Sequence, residues 1–244
     1  MSGGRLTFCG HATVLLELDG ARLLTDPVLR GRLFHLRRIV PPAPDPGPLD
    51  GILISHGHWD HLDLPSLRRL DRSVPVVCPR GLGRLLRRFA TVTEVDVGEV
   101  VTLGSAAVTA TPAEHDGRRG PLGPAAPALG FLIGGTRRVY FAGDTDLFAG
   151  MDALGDRLDL ALLPVAGWGP RLGPGHLDAA RAAEAARRLR PRLAVPIHWG
   201  TLRPRHERPD PSTRPAQEFR RLAAEVAPTV AVHILEPGER LELP

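Results

Sequence analysis

Residues 51–61 read Gly-Ile-Leu-Ile-Ser-His-Gly-His-Trp-Asp-His. The apolar run Gly51-Ile52-Leu53-Ile54 has the composition of a strand buried on both faces. Ser55 and Gly57 then break the pattern, so the histidines stand where a buried strand ends and a loop begins. His56, His58, Asp60 and His61 place four metal-capable side chains within six positions. A lone histidine at a strand end is usually a satisfied polar residue, and this chain has ten histidines to scatter. Three histidines and an aspartate spaced H-x-H-x-D-H, directly after a β-type run, are much harder to obtain by chance. Imidazole together with carboxylate suits zinc and similar divalent ions. The pattern therefore points to metal-activated water attacking a substrate.

Working outward, three further strand ends carry candidate donors. His115 follows a predicted strand at Ala106–Thr111, Asp144 follows one at Arg137–Phe141, and His198 follows one at Leu193–Ile197. Each is weak alone, since a Gly-Asp turn is usually just a turn. Jointly, His56, His58, Asp60, His61, His115, Asp144 and His198 supply the seven donors of a two-metal site. A carboxylate such as Asp144 can bridge two ions, one oxygen facing each.

The remaining pattern is strand-rich and then mixed. Asp19-Gly20 between Ala12–Leu18 and Ala21–Thr25 is a hairpin signal. The proline-rich residues 41–48 read as an ordered surface connection. Short helices are expected over Leu64–Leu70 and Gly81–Phe89, and strands over Val74–Cys78, Val92–Val97, Glu99–Leu103 and Ala106–Thr111. Residues 116–128, rich in Gly, Pro and Ala, read as a mobile loop. A second hairpin, Leu129–Ile133 with Arg137–Phe141, turns at Gly134-Gly135. A strand at Leu158–Leu163 precedes a helix over Asp178–Arg190, which Pro191 stops. A proline-rich loop over 203–215, a helix over Pro215–Val226 and a closing strand over Thr229–Leu235 complete the chain. This order predicts an α/β (α+β) fold, two mixed sheets face to face with helices outside, as a single domain over residues 1–244.

Composition excludes some classes. All 31 basic residues are arginine, yet the net charge is only +4. That excess is too small to imply nucleic-acid binding. The two cysteines, Cys9 and Cys78, form no C-x-x-C pair and no disulfide framework. Reduced thiols and a cytoplasmic location are expected. The N-terminus shows no secretory signal, and no stretch approaches the ~20 apolar residues of a membrane span.

The motif His56-x-His58-x-Asp60-His61, with His115, Asp144 and His198, resembles the metallo-β-lactamase-fold hydrolase superfamily. Flanking pieces, Gly10-His11-Ala12-Thr13, Leu24-Thr25-Asp26-Pro27 and His198-Trp199-Gly200-Thr201, extend the likeness over nearly the whole chain. They are similar to the branch that holds ascorbate-phosphate lactonase-like and N-acyl phosphatidylethanolamine phospholipase D-like proteins. The resemblance implies an αββα sandwich with two divalent metal ions at one edge. His56, His58 and His115 would hold one ion, Asp60, His61 and His198 the other, with Asp144 bridging. It implies that Asp26 orients a ligand histidine, and that His176, in Gly175-His176-Leu177-Asp178, lines the site. His176 would donate a proton to the leaving group or stabilise developing charge, or else would simply begin a helix. His11 would shape the pocket or pair with Asp26. Oxygen-reducing diiron relatives typically carry an acidic residue where this chain has His58, which favours zinc over manganese or iron.

The resemblance thus implies a metal-dependent hydrolase in which water activated by two metals, with Asp60 and His176 as catalytic residues, attacks a small-molecule phosphodiester, lactone or ester. The substrate would be anionic if Arg118 or Arg119 touched it, but both arginines read rather as solvated loop charge. A membrane-docking extension like that of lipid-cleaving relatives is not expected here, because the chain starts almost at its first strand. Two other classes compete: a nuclease of the same fold, which needs a basic groove and an inserted domain, and a non-catalytic metal-binding module. Nothing in the sequence reads on oligomeric state.

Overall fold

The apolar run before the motif is a central strand with parallel neighbours on both sides, which is why it carries no polar alternation. The computed structural model describes residues 4–166, 172–206 and 214–243. Its first half holds Arg5–Gly10 (β1), Thr13–Leu18 (β2), Ala21–Thr25 (β3), Arg32–Leu33 (β4), Leu36–Arg38 (β5), Gly51–Leu53 (β6), Leu64–Leu67 (α1), Val76–Pro79 (β7), Gly83–Leu86 (α2) and Val92–Val95 (β8). The second half holds Val100–Leu103 (β9), Ala106–Pro112 (β10), Leu129–Gly134 (β11), Arg138–Phe141 (β12), Leu160–Pro164 (β13), Ala179–Leu189 (α3), Leu193–Ile197 (β14), Leu202–Pro204 (β15), Pro215–Val226 (α4), Ala231–Val232 (β16) and Arg240–Glu242 (β17).

Among the described residues these strands form two seven-stranded sheets and one small one. The first sheet runs β17-β1-β2-β3-β6-β7-β8, the second β16-β14-β13-β12-β11-β10-β9, and the third β15-β5-β4. Alternation along the strands explains the layers. Leu16, Leu18, Leu23 and Leu53 of the first sheet meet Val108, Phe131, Phe141 and Leu162 of the second in a buried central core. On the far side of the second sheet, Tyr140, Ala161 and Leu163 pack with Ala182, Ala186 and Leu189 of α3 and Phe219 and Ala223 of α4. On the far side of the first, Ile52 and Val76 pack with Leu67 of α1 and Leu86 of α2. The expected αββα sandwich of mixed sheets is the observed one. Cys9 and Cys78 are buried and unpaired.

Local chemistry accounts for the elements. Asp19 and Gly20 both have positive φ, 51° and 90°, the backbone of a two-residue hairpin turn that joins β2 to β3. Asp178 caps α3 by accepting from the Arg181 N–H at 2.8 Å, and Asp63 caps α1 through Ser66.

Strand direction decides where the site can be. β3, β6, β7 and β8 are mutually parallel, and β1 shares their direction through two antiparallel steps. β12, β13 and β14 are parallel, and β10 shares their direction by the same two-step rule. Within each sheet, the residues that follow these strands therefore emerge at one edge.

Several local expectations need correction. The three strands expected over 92–111 are present, but they are shared between the sheets: β8 closes the first sheet, the chain crosses near Gly98, and β9 opens the second and pairs with β10. The helices expected over 64–70 and 81–89 shrink to a single turn each. The closing strand expected over Thr229–Leu235 keeps only Ala231–Val232, and β17 pairs with β1 instead. The hairpin β4–β5 leaves no mark in the sequence pattern because its strands are too short to show periodicity. It pairs with β15, which overlaps the start of the stretch expected to be loop. Of that stretch, residues 207–213 lie outside the described residues.

Candidate metal centre

The edge at which these strands end gathers the predicted donors. His11 follows β1, Asp26 follows β3, His56 to His61 follow β6, His115 follows β10, Asp144 follows β12 and His198 follows β14. Their donor atoms form overlapping groups within 4.8 Å: His56, His58 and His115; His56, His61 and Asp144; and His11, Asp60, His61 and His198. His176 forms a further group with His115 and Asp144. Asp144 Oδ2 lies 3.2 Å from His61 Nε2 and 3.3 Å from His198 Nε2. Asp60 Oδ2 lies 3.5 Å from His198 Nε2 and 3.8 Å from His61 Nε2.

Hydrogen bonds from behind set the tautomers. His115 Nδ1 donates to the Gly175 carbonyl and His198 Nδ1 to the Ala166 carbonyl, each at 2.7 Å. His61 Nδ1 donates to Asp26 Oδ2 at 2.7 Å. Ser55 Oγ donates to the same oxygen at 2.5 Å and so accepts from His56 Nδ1 at 2.9 Å. Asp26 Oδ1 also accepts the Ser55 N–H at 2.7 Å. Through Ser55 and His61, one buried carboxylate orients two imidazoles, and all four rings turn Nε2 towards the site.

Those inward atoms are the test of fit for a metal. His56 Nε2, His61 Nε2, His198 Nε2 and Asp144 Oδ1 are buried and have no hydrogen-bond partner. Leaving buried polar atoms unsatisfied is costly, roughly 1–3 kcal/mol each. His115 Nε2 and His58 Nδ1 face each other at 3.0 Å, which requires a proton or a cation between them. Donor separations of 3.0–3.8 Å suit ligands each about 2.0–2.2 Å from a shared ion. Electrostatics agrees. Burial favours the protonated carboxyls, yet the neighbouring histidines hold Asp60 and Asp144 well below the usual carboxylate range. Burial pulls His56 well below its usual value and His115 down to about 4. Burial would lower His61 too, but Asp144, Asp60 and Asp26 outweigh it and raise that histidine well above its usual value. The carboxylates demand positive charge, and no arginine forms an ion pair with Asp60 or Asp144 among the described residues. The residues present fit divalent cations.

Backbone strain marks the same edge. His11, Asp26 and His198 adopt positive φ of 58°, 35° and 61°, a conformation that non-glycine residues hold only when their surroundings dictate it. Gly57 is required by a close approach, because a Cβ there would lie 2.8 Å from the Gly117 carbonyl oxygen.

Three residues differ from what the sequence suggested. His11 pairs with Asp60, its Nε2 3.0 Å from Oδ2, and not with Asp26. Ser55, which reads as a mere pattern breaker, links Asp26 to His56. Arg119 is not solvated: it is 5% exposed, and its NH1 donates to the carbonyls of Gly57 and Leu62 at 2.8 Å each. Its guanidinium carbon lies 3.8 Å from the centre of the Trp59 ring. Arg119 thus fastens both ends of the ligand loop, whereas Arg118 is exposed. No sequence signal separates these two adjacent arginines. His176 stands at the rim, its Nε2 3.7 Å from Asp144 Oδ2 and its ring 4.6 Å from that of His115.

Comparison with known proteins bears on this geometry. The family model described as a Beta-lactamase superfamily domain matches residues 21–199. The chain belongs to the metallo-β-lactamase superfamily. A UPF0173 metal-dependent hydrolase from Archaeoglobus fulgidus is 34% identical over 98% of this chain and 98% of its own length. An N-acyl-phosphatidylethanolamine-hydrolyzing phospholipase D from Caenorhabditis elegans is 34% identical over 82% of this chain and 65% of its own. Among solved structures, Igni18, a metallo hydrolase from Ignicoccus hospitalis, has a TM-score of 0.76 and 26% identity, covering 100% of this chain and 99% of Igni18. CmlA, a diiron β-hydroxylase from Streptomyces venezuelae, shares the fold with a TM-score of 0.75 and 23% identity, over 100% of this chain and 55% of CmlA. This member of the superfamily is a metal-dependent hydrolase with a cluster of histidine and aspartate donors at the sheet edge. No helix among its described residues is long and apolar enough to cross a membrane.

Proposed function

We propose that this chain is a single-domain, cytoplasmic hydrolase of small-molecule phosphodiester or lactone and ester bonds, working with two divalent cations, zinc in preference to manganese or iron. The observation that carries the proposal is the set of buried, unpartnered donors, His56 Nε2, His61 Nε2, His198 Nε2 and Asp144 Oδ1, converging from three strand ends of two sheets. His56, His58 and His115 would hold one ion, Asp60, His61 and His198 the other, with Asp144 between them. The choice of zinc rests on His58, an imidazole where an acidic ligand would favour redox iron. When bound, such a pair lowers the pKa of water from 15.7 towards ~7 and polarises the bond under attack.

The chain's own residues do the rest. Asp26 and Ser55 fix the rings of His61 and His56, and the carbonyls of Gly175 and Ala166 fix His115 and His198. His11 donates to Asp60 and holds its carboxylate towards the site, where it orients the attacking water. His176, at the rim and beside Asp144, is placed to give a proton to the departing oxygen from Nε2.

Neither a nuclease nor a non-catalytic module is favoured. The net charge is small, and all seven donor positions are filled. Turnover by the metal-loaded protein on bis-p-nitrophenyl phosphate, lactones, thioesters and a β-lactam tests the reading. Hydrolysis of a phosphodiester or a lactone is expected; activity confined to the β-lactam, or to nucleic acid, contradicts it.

A further inference from the structure

Beside the ligand loop lies a cavity of about 290 Å³, lined by Leu33, Phe34, His35, Leu36, Trp59 and Asp60. Its wall is built from the hairpin β4–β5. Phe34 occupies the hairpin turn with φ of 50°, a region where a bulky side chain clashes with its own backbone. Phe34 is nevertheless 58% exposed, and Trp59 43%. Little packing therefore rewards the strain. What the strain achieves is placement: the Phe34 ring meets the Trp59 ring edge-on at 4.5 Å. Trp59 stands between His58 and Asp60 in the motif, and Arg119 holds its ring from behind. Asp60 joins the cavity to the donor cluster, so a molecule lodged there has its next bond at the site.

The lining also decides the chemistry of the occupant. Leucine and aromatic side chains make up most of it, and it includes no arginine to pair with an anion. The guanidinium of Arg119 is committed to Trp59 and two carbonyls. At ~30 Å³ per water, the cavity has room for about ten water-sized groups, the lower end of the ~300–1,000 Å³ typical of ligand pockets. We propose that the substrate carries an uncharged alkyl or aryl group of about that size, which lies between Phe34 and Trp59 while the scissile bond faces the donors. The inference rests on the hydrolase reading above and narrows its substrate class to apolar esters.

Alkyl hydroxamates test it by binding alone. The hydroxamate head chelates the metals and the tail probes the cavity, so calorimetric dissociation constants of the zinc-loaded protein can be compared from acetohydroxamate to decanohydroxamate. Affinity should rise about threefold to fourfold per methylene and level off near eight carbons. Phe34→Asn relieves the strained φ, so its melting temperature should equal or exceed that of the parent while the gain per methylene falls below about twofold. Trp59→Phe, which keeps a ring for Arg119, should be intermediate. Equal affinity along the series overturns the inference and leaves the hydrolase reading standing. Failure of even acetohydroxamate to bind overturns both. A flat series together with vesicle binding that Phe34→Asn abolishes also overturns it, and makes the hairpin a membrane contact.

Discussion

The Asp26 carboxylate accepts the Nδ1 proton of His61 at 2.7 Å, with neither side chain exposed to solvent. The same carboxylate holds Ser55, and through it His56. Asp26→Asn keeps the volume but places an amide N–H against donors. Outer partners of metal-binding histidines typically contribute 10–100-fold in affinity. Competition with a chelator should show zinc binding weakened by about that factor, with an unchanged far-ultraviolet circular dichroism spectrum. Wild-type affinity in Asp26→Asn would show that the carboxylate does not orient the ligands.

Arg119 should be as important as a ligand for keeping the loop in place. Removing a buried group that donates charged hydrogen bonds to two carbonyls costs about 2–4 kcal/mol. Arg119→Ala should lower the urea midpoint accordingly and weaken zinc binding at least tenfold. Arg119→Lys should not rescue it, because an ammonium lacks the planar face that lies over Trp59. A lysine variant with parental stability and affinity contradicts the assignment.

Much of this was legible in the chain because it depends on pattern. Buried parallel strands read as apolar runs, and donors placed directly after them read as a site; His56, His58, Asp60, His61, His115, Asp144 and His198 all lie at that edge. What was illegible depends on packing that no local pattern encodes. Arg119 is buried and Arg118 exposed although they are neighbours of the same type, because only one faces the Gly57 and Leu62 carbonyls. Ser55 matters through a bond to Asp26, 29 positions away. The hairpin that carries Phe34 has strands of two and three residues, shorter than any periodicity test can detect.

Asp60→Ala separates metal loading from folding. Its carboxylate faces His11, His61 and His198. The variant should stay folded, retain one equivalent of zinc by elemental analysis and lose at least about 100-fold in kcat. Full turnover with one equivalent bound would remove the second ion from the account.

His176 is expected to act on the leaving group. General acids typically contribute 10²–10⁴-fold, and only where the departing oxygen needs a proton. His176→Gln should therefore slow alkyl esters by about that factor, leave p-nitrophenyl esters nearly untouched and keep the parental metal content. Equal slowing of both classes would assign His176 a positioning role.

The central claim is that two ions sit between the donor groups of the two sheets. Anomalous X-ray diffraction at the zinc edge from crystals of the zinc-loaded protein tests it most directly. Two peaks are predicted, one among His56, His58 and His115 and one among Asp60, His61 and His198, with Asp144 between them. A single peak, or peaks away from these residues, would contradict it.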